Sequence, residues 1–422
     1  MRLTNFDLSF FSLFHHDILN APDSYFPIDE VWSNIKTKPS KSFQDIRDVI
    51  IKLVEDSIKD VEDHEIALTL TGGFDSRLIL ATLLKLNRKP ICFAYGDERN
   101  RDIQIAREIC SKFGLTFKHV VAKKPTSEWY NKWVCKTVEI GQGKVHLHRA
   151  HRTAAIDEFT KEFPVKVLFT GHFGGESIRG LAYNNYFSSS FFQNWNSGKL
   201  ALVDAIDEVL KNYFISDRKT IEIKEEIEKM KYGSTNREER IFYFLNSLVA
   251  NIHHSQDLQI YKSYVDKVVP IYMTPEFQSA LSQSPFHYMR KKNNKFSKLN
   301  DPVLYCQLLK QLEPRLLAIS LSNGYKPSDF LKGKMFYLVK RVLVKYLKLN
   351  KNFSSFKYDQ WFIDFVKSEA KNISPEVWAI YDRTSYFKDL EGDSHQTTEG
   401  YWHKFSNPIF FDLLFKMKQI QK

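Results

Sequence analysis

The chain has 422 residues, 43% hydrophobic and 14% aromatic, with 61 basic against 50 acidic side chains and a net charge of +11. That composition supports a sizeable core, in two domains or in one large domain with an appendage. No charge-free apolar run approaches the roughly 18–20 residues of a membrane span, and the four cysteines (Cys92, Cys110, Cys135, Cys306) have no metal-ligand spacing, so buried thiols in a reducing cytoplasm are expected.

The positive charge suits an anionic small molecule, a nucleic acid or a membrane surface, and by itself selects none of them. No RNA-binding signature or helix-turn-helix pattern stands out, so nucleic acid is an unlikely partner on sequence grounds. The first residues, Met1-Arg-Leu-Thr-Asn-Phe-Asp7, carry an early acid and lack the basic-then-apolar pattern of a secretory signal. A cytoplasmic location is the expectation.

Residues 1–42 mix aromatics with turn residues and read as an irregular lead-in and linker. From Phe43 to Val61 the apolar positions Ile46, Val49, Ile50, Leu53, Val54 and Ile58 share one face of a helix. Strands are then predicted at Ile66–Leu70, Pro90–Tyr95, Thr116–Val121 and Val165–Thr170. Helices are predicted at Ser76–Leu86, Arg101–Phe113 and Arg149–Phe163. This alternation implies an α/β fold with a parallel sheet, whose ligands bind at the carboxyl ends of the strands. Those ends are Thr71-Gly72-Gly73, Tyr95-Gly96-Asp97 and Thr170-Gly171-His172.

The Asn-, Ser- and aromatic-rich stretch 181–199 is either a substrate-facing lid or a helical hairpin packing its aromatics. Residues 200–270 and 275–350 read as mostly helical. Within them Lys332–Lys348 is a basic amphipathic helix, read as a core helix with a solvated face, although the same pattern suits an anionic membrane. The tail 405–415 reads as a docked helix.

The organising stretch is Ala67-Leu-Thr-Leu-Thr-Gly-Gly-Phe-Asp-Ser-Arg77. A strand that ends in paired glycines and hydroxyls and feeds a helix makes a phosphate cradle, because backbone N–H groups and the helix N-terminus face the anion. It has neither the Lys of the Walker pattern nor G-x-G-x-x-G. An ordinary βα turn with a Gly pair is the plain alternative.

The run Thr71-Gly-Gly-Phe-Asp-Ser76 resembles the PP-loop of the ATP pyrophosphatases. With Asp102 at the start of the next helix, Leu168-Phe-Thr-Gly-His-Phe-Gly-Gly-Glu176, and Val269-Pro270 downstream, it is similar over about residues 45–325 to the synthetase domain of asparagine synthetases. The resemblance implies a parallel-sheet PP-loop core at 43–325 with a helical C-terminal extension at 326–422. It implies that ATP adenylates a carboxylate of a small molecule, peptide or sugar acid, releasing pyrophosphate, after which ammonia or an amine forms an amide. Leu70, Thr71, Gly72, Gly73, Asp75, Ser76, Tyr95, Gly96 and Gly171 would then bind ATP, with Asp75 and Glu176 holding Mg²⁺.

The motif also departs from that family. His172 and Gly175 stand where relatives carry acids, and Glu176 keeps the last one. His172 is the candidate base. Arg77 either pairs with a substrate anion or satisfies Asp75 or a helix face. Too few residues precede the loop for a glutaminase domain, so nitrogen is expected from ammonia, an amine or a separate glutaminase. A nucleotide-binding protein without chemistry and a PP-loop enzyme acting on RNA are the alternatives. The cluster His146-Leu-His148-Arg149-Ala-His151-Arg152 is read first as a cationic helix start aimed at a phosphate or an anionic acceptor, then as a solvated basic turn, and last as a metal site.

Overall fold

The computed structural model describes residues 26–142, 144–181, 214–221, 254–291, 302–346, 358–392 and 403–420, with isolated positions between 239 and 250. The 181–199 stretch, apart from Leu181, lies outside them, as do residues 1–25 of the lead-in.

After helix α1 (Ile28–Lys36), helix α2 (Phe43–Ser57) starts at a capping box in which Ser42 and Asp45 exchange side-chain and backbone hydrogen bonds. Its buried residues Ile46, Ile50 and Val54 follow the four-residue spacing of one helix face. The core alternates as the sequence predicts, with one helix (α5) that is not among those predicted: β1 (Ile66–Thr69), α3 (Asp75–Lys85), β2 (Ile91–Gly96), α4 (Arg101–Phe113), β3 (Phe117–Val121), α5 (Ser127–Gly141), α6 (Ala150–Glu162) and β4 (Val167–Phe169). Helix α4 is punctuated at both ends, by the Asn100 side chain accepting from Asp102 N–H and by Gly114 in the left-handed conformation.

A short helix α7 (Gly174–Arg179) follows β4, then α8 (Ser255–Lys262) and a fifth strand, β5 (Lys267–Val269). That strand is not among those predicted from the sequence; most of 200–253 lies outside the described residues. The sheet has five strands in the order β3-β2-β1-β4-β5, all parallel. Ala67 of central β1 pairs with Ile91 on one side and Leu168 on the other. The order reverses between β1 and β4, so a crevice opens at their carboxyl ends, where open α/β sheets place ligands.

The chain is thus an α/β protein with a parallel-sheet core and a large helical C-terminal region. That region contributes α9 (Pro275–Ser282), α10 (Val303–Leu312), α11 (Lys334–Tyr346), α12 (Tyr358–Glu369), α13 (Arg383–Gly392) and α14 (His403–Ile420). Helix α12 closes over α5, with the Phe365 and Tyr130 rings stacked at 4.9 Å, and α14 brings Phe410 to 4.9 Å from His146. Helix α11 does not pack as a core helix. Its apolar stripe, Met335 to Tyr346, faces solvent, while Val344 on the other side is buried.

Arg77 joins the two regions. Its side chain is fully buried, and the guanidinium donates to the carbonyls of Ile319 (2.7 Å), Ser320 (2.9 Å), Leu316 (3.3 Å) and Gly72 (3.3 Å). Burial lowers its pKa to about 10, still far above neutrality. The structure places Arg77 off the cavity lining, with its two terminal nitrogens holding the 314–320 turn against the loop. Arg77→Met strands those buried carbonyls and should lower stability by about 2–4 kcal/mol in urea denaturation. An unchanged midpoint would contradict the bracing role.

Candidate nucleotide site

The carboxyl edge of β1 and β2 forms a cavity of about 250 Å³. Its floor is Thr69, Leu70 and Thr71 from β1 and Phe93, Ala94, Tyr95 and Gly96 from β2. Its walls come from Asn100, Asp102 and Ile103 before and within α4, from His151, Arg152 and Ala155 of α6, and from Tyr261 of α8. Leu70, Thr71, Tyr95 and Gly96 are thus brought together as the sequence predicts. Gly96 has φ of +149°, a conformation side chains avoid, and its carbonyl lies 2.9 Å from His119 Nε2.

The loop beside this cavity is internally wired. Thr71 N–H donates to Ser76 Oγ at 3.1 Å, Gly73 N–H to Thr71 Oγ1 at 3.3 Å, and Gly72 N–H to the Asp102 carboxylate at 3.1 Å. Asp102, noted in the sequence only for its position, therefore holds the loop's central amide. N–H groups at a helix start beside a cavity are the donors an anion such as a phosphate needs.

On the β4 side the turn presses against the same loop. A Cβ on Gly171 would lie 2.9 Å from Ser76 N, and one on Gly174 would lie 2.8 Å from the Asp75 carboxyl carbon. Only glycine allows that approach. Asp75 is gripped by tyrosines that sequence reasoning missed: Tyr305 O–H donates to its carboxylate, and Tyr272 O–H donates to its backbone carbonyl at 2.8 Å. Burial raises the Asp75 pKa, partly offset by Arg179, and Glu176 adds a like-charge push upward.

Glu176 lies 3.6 Å from His254 Nε2. Mg²⁺ is held by one or two carboxylates together with phosphate oxygens and water. Asp75 and Glu176 fit that donor set, each now facing a cationic or imidazole neighbour. Among the described residues no group of three His, Cys, Asp or Glu side chains converges as a metal site. His146 and His148 instead meet Nδ1 to Nδ1 at 2.8 Å, and His151 Nδ1 meets the His148 carbonyl at 2.9 Å.

The basic cluster serves Asp257, a residue no motif pointed to. Its carboxylate lies 3.3 Å from Arg149, 3.2 Å from Arg152 and 3.2 Å from His172 Nε2. Burial alone would raise its pKa, but Arg149, Arg152 and His172 outweigh that and hold it well below the carboxylate range. Of the cluster only His151 and Arg152 reach the cavity. His172 is not on its wall; burial lowers its pKa to about 4, and that of His151 to about 3. A buried acid inside the apolar spacing of Ser255–Lys262 was the one available signal for Asp257.

Fold and site together define the class: an α/β protein with an all-parallel sheet and its ligand edge at the strand carboxyl ends. The chain is similar to the tRNA(Ile)-lysidine synthase of Bdellovibrio bacteriovorus, at 27% identity over 140 residues, covering 32% of this chain and 40% of that protein. The chain thus matches less than half the length of this curated relative. This distant match supports the PP-loop superfamily and does not single out the asparagine synthetases within it. No protein-family model matches.

Two outcomes follow from this geometry. Gly171→Ala forces the turn off the loop and should weaken ATP binding at least about tenfold by calorimetry; equal affinity would mean the two segments separate freely. Both His151 and His172 have folded pKa values below the unfolded 6.5. Their contribution is fully present above about pH 6.5 and is lost as the unfolded chain takes up protons the folded chain refuses. Melting temperature should therefore fall between about pH 6.5 and 4, and His172→Gln should flatten that slope. A slope identical to wild type would show that the imidazole does not stay neutral in the fold.

Proposed function

We propose that the protein is an ATP-dependent ligase that adenylates an acceptor and releases pyrophosphate before an amine attacks. The observation that carries this reading is the continuity of the β1–β2 cavity with a loop whose amides start α3 and whose Asp75 sits at the β4 crevice. The base and ribose occupy the cavity, in contact with the Leu70 and Tyr95 ends of the strands. The diphosphate lies on Thr71, Gly72, Gly73 and Ser76, and Asp75 and Glu176 would hold a Mg²⁺ ion, which would supply charge neutralisation for the leaving pyrophosphate.

The acceptor is a carboxylate. Its oxygen bonds to the α-phosphorus as pyrophosphate leaves, then ammonia or an amine bonds to the acyl carbon, loses a proton and expels AMP. Arg152, anchored by Asp257, supplies positive charge at the cavity wall for the α-phosphate. His172 is neutral at pH 7 and so has the form a base requires, but its low pKa makes it a weak one.

A second reading, adenylation of an RNA base, is favoured by the similarity to a tRNA(Ile)-lysidine synthase and by the +11 charge. The sequence-based expectation against nucleic acid has no support from that match. Pyrophosphate release from Mg-ATP, measured with a panel of carboxylic acids plus ammonium and separately with bulk tRNA, decides between them. Carboxylate-dependent release that Asp75→Ala reduces at least about a hundredfold is the expected result. Release that responds only to tRNA would favour the second reading. ATP binding without release from any acid, tRNA or cell extract would leave a nucleotide-binding protein without chemistry.

A further inference from the structure

Helix α11 (Lys334–Tyr346) carries an apolar stripe that the fold leaves uncovered: Met335 is 74% exposed, Val339 56%, Val342 67%, Leu343 50% and Tyr346 82%, with Phe336 beside them at 42%. At about 100° per residue these six fall within a sector about 120° wide, the width of a face that is normally buried. Single exposed apolar residues are ordinary, but a contiguous stripe marks an interaction surface.

The charge around the stripe is one-sided. Between Lys332 and Lys348 there are six basic residues and no acid. The helix is fastened from its other side, by Val344 in the core and by Lys340 paired with buried Asp329. The Lys332 ammonium lies 4.7 Å from the Phe336 ring centre, at the edge of the stripe.

We propose that α11 lays this face on an anionic lipid surface. The apolar sector takes up the boundary of the acyl chains, Lys332 at its edge meets the headgroup phosphates, and the acid-free basic sequence of the helix adds attraction to an anionic surface. Its 13 residues make a rod about 20 Å long, which lies on a bilayer and does not cross it. A second copy of the chain is disfavoured as the occupant, because a symmetric seam would face two acid-free basic helices across an apolar contact. RNA would match the charge and leave the apolar stripe in water.

The test is co-sedimentation of the full chain with vesicles of phosphatidylcholine alone and of phosphatidylcholine mixed with phosphatidylglycerol. Binding to the anionic vesicles is expected to exceed that to neutral ones at least about tenfold and to weaken with salt. The double variant Val339→Glu/Val342→Glu changes only exposed positions, so its melting temperature should match wild type while vesicle binding is lost. Wild-type protein that stays in the supernatant, or a folded double variant that still pellets, overturns the proposal. A concentration-dependent dimer in sedimentation velocity, abolished by the same double variant and unaccompanied by vesicle binding, assigns the face to a second copy.

Discussion

The architecture of the carboxyl edge depends on how closely the turn after β4 approaches the loop after β1. Gly171 sits where a Cβ would meet the Ser76 amide at 2.9 Å, and Gly174 where it would meet the Asp75 carboxyl at 2.8 Å. The two segments are neighbours because β1 and β4 pair side by side at the point where strand order reverses. That contact places Asp75 and Glu176 on the same side of the loop and leaves the β2 side free for the cavity. Tyr272, from the turn after β5, and Tyr305, from α10 of the helical region, then fix Asp75. The helical region is therefore a structural part of the site. Through Tyr358, whose ring centre is 4.2 Å from that of His151, it also backs one wall of the cavity.

On the opposite wall the governing interaction is ionic. A carboxylate as buried as Asp257 is tolerated only when its charge is matched and its lone pairs are engaged. Two arginines at the start of α6 supply the charge, and the His172 imidazole of the turn after β4 engages a lone pair. The desolvation cost is large enough that the ion cluster adds little net stability. What it supplies is position: Arg152 is held at the cavity rim with its charge intact.

The strands and helices of the sheet were legible because long apolar runs bounded by glycine and capping residues have few alternative readings. The glycine-bearing strand ends were legible for the same reason. β5 was not, since Lys267–Val269 is three residues long, partly exposed and embedded in helical pattern. Arg77 invited a substrate role by adjacency to the loop, but its partners are some 240 residues away, at Leu316, Ile319 and Ser320. The same distance problem hid Asp257, 85 residues from His172. For α11 the periodicity gave the stripe, yet periodicity defines a face without saying which way it points. Packing decided that, and it turned the stripe outward.

The Asp257 cluster also bears on how this chain can change over time. With one anion shared by Arg149 and Arg152, loss of Asp257 removes the counter-charge of both arginines at once, a large cost compared with the marginal stability of a folded domain. Substitution of Asp257 alone is strongly unfavourable while its replacement together with an arginine need not be, because neighbouring charges do not contribute additively. Related chains should therefore keep Asp257, Arg149 and Arg152 as a set or exchange them together, so a sequence that has replaced Asp257 by an apolar residue should have neutralised Arg149 as well. The cavity wall is inherited as a unit, and new specificity is more readily acquired at Asn100 or Tyr95, which line the cavity outside that set.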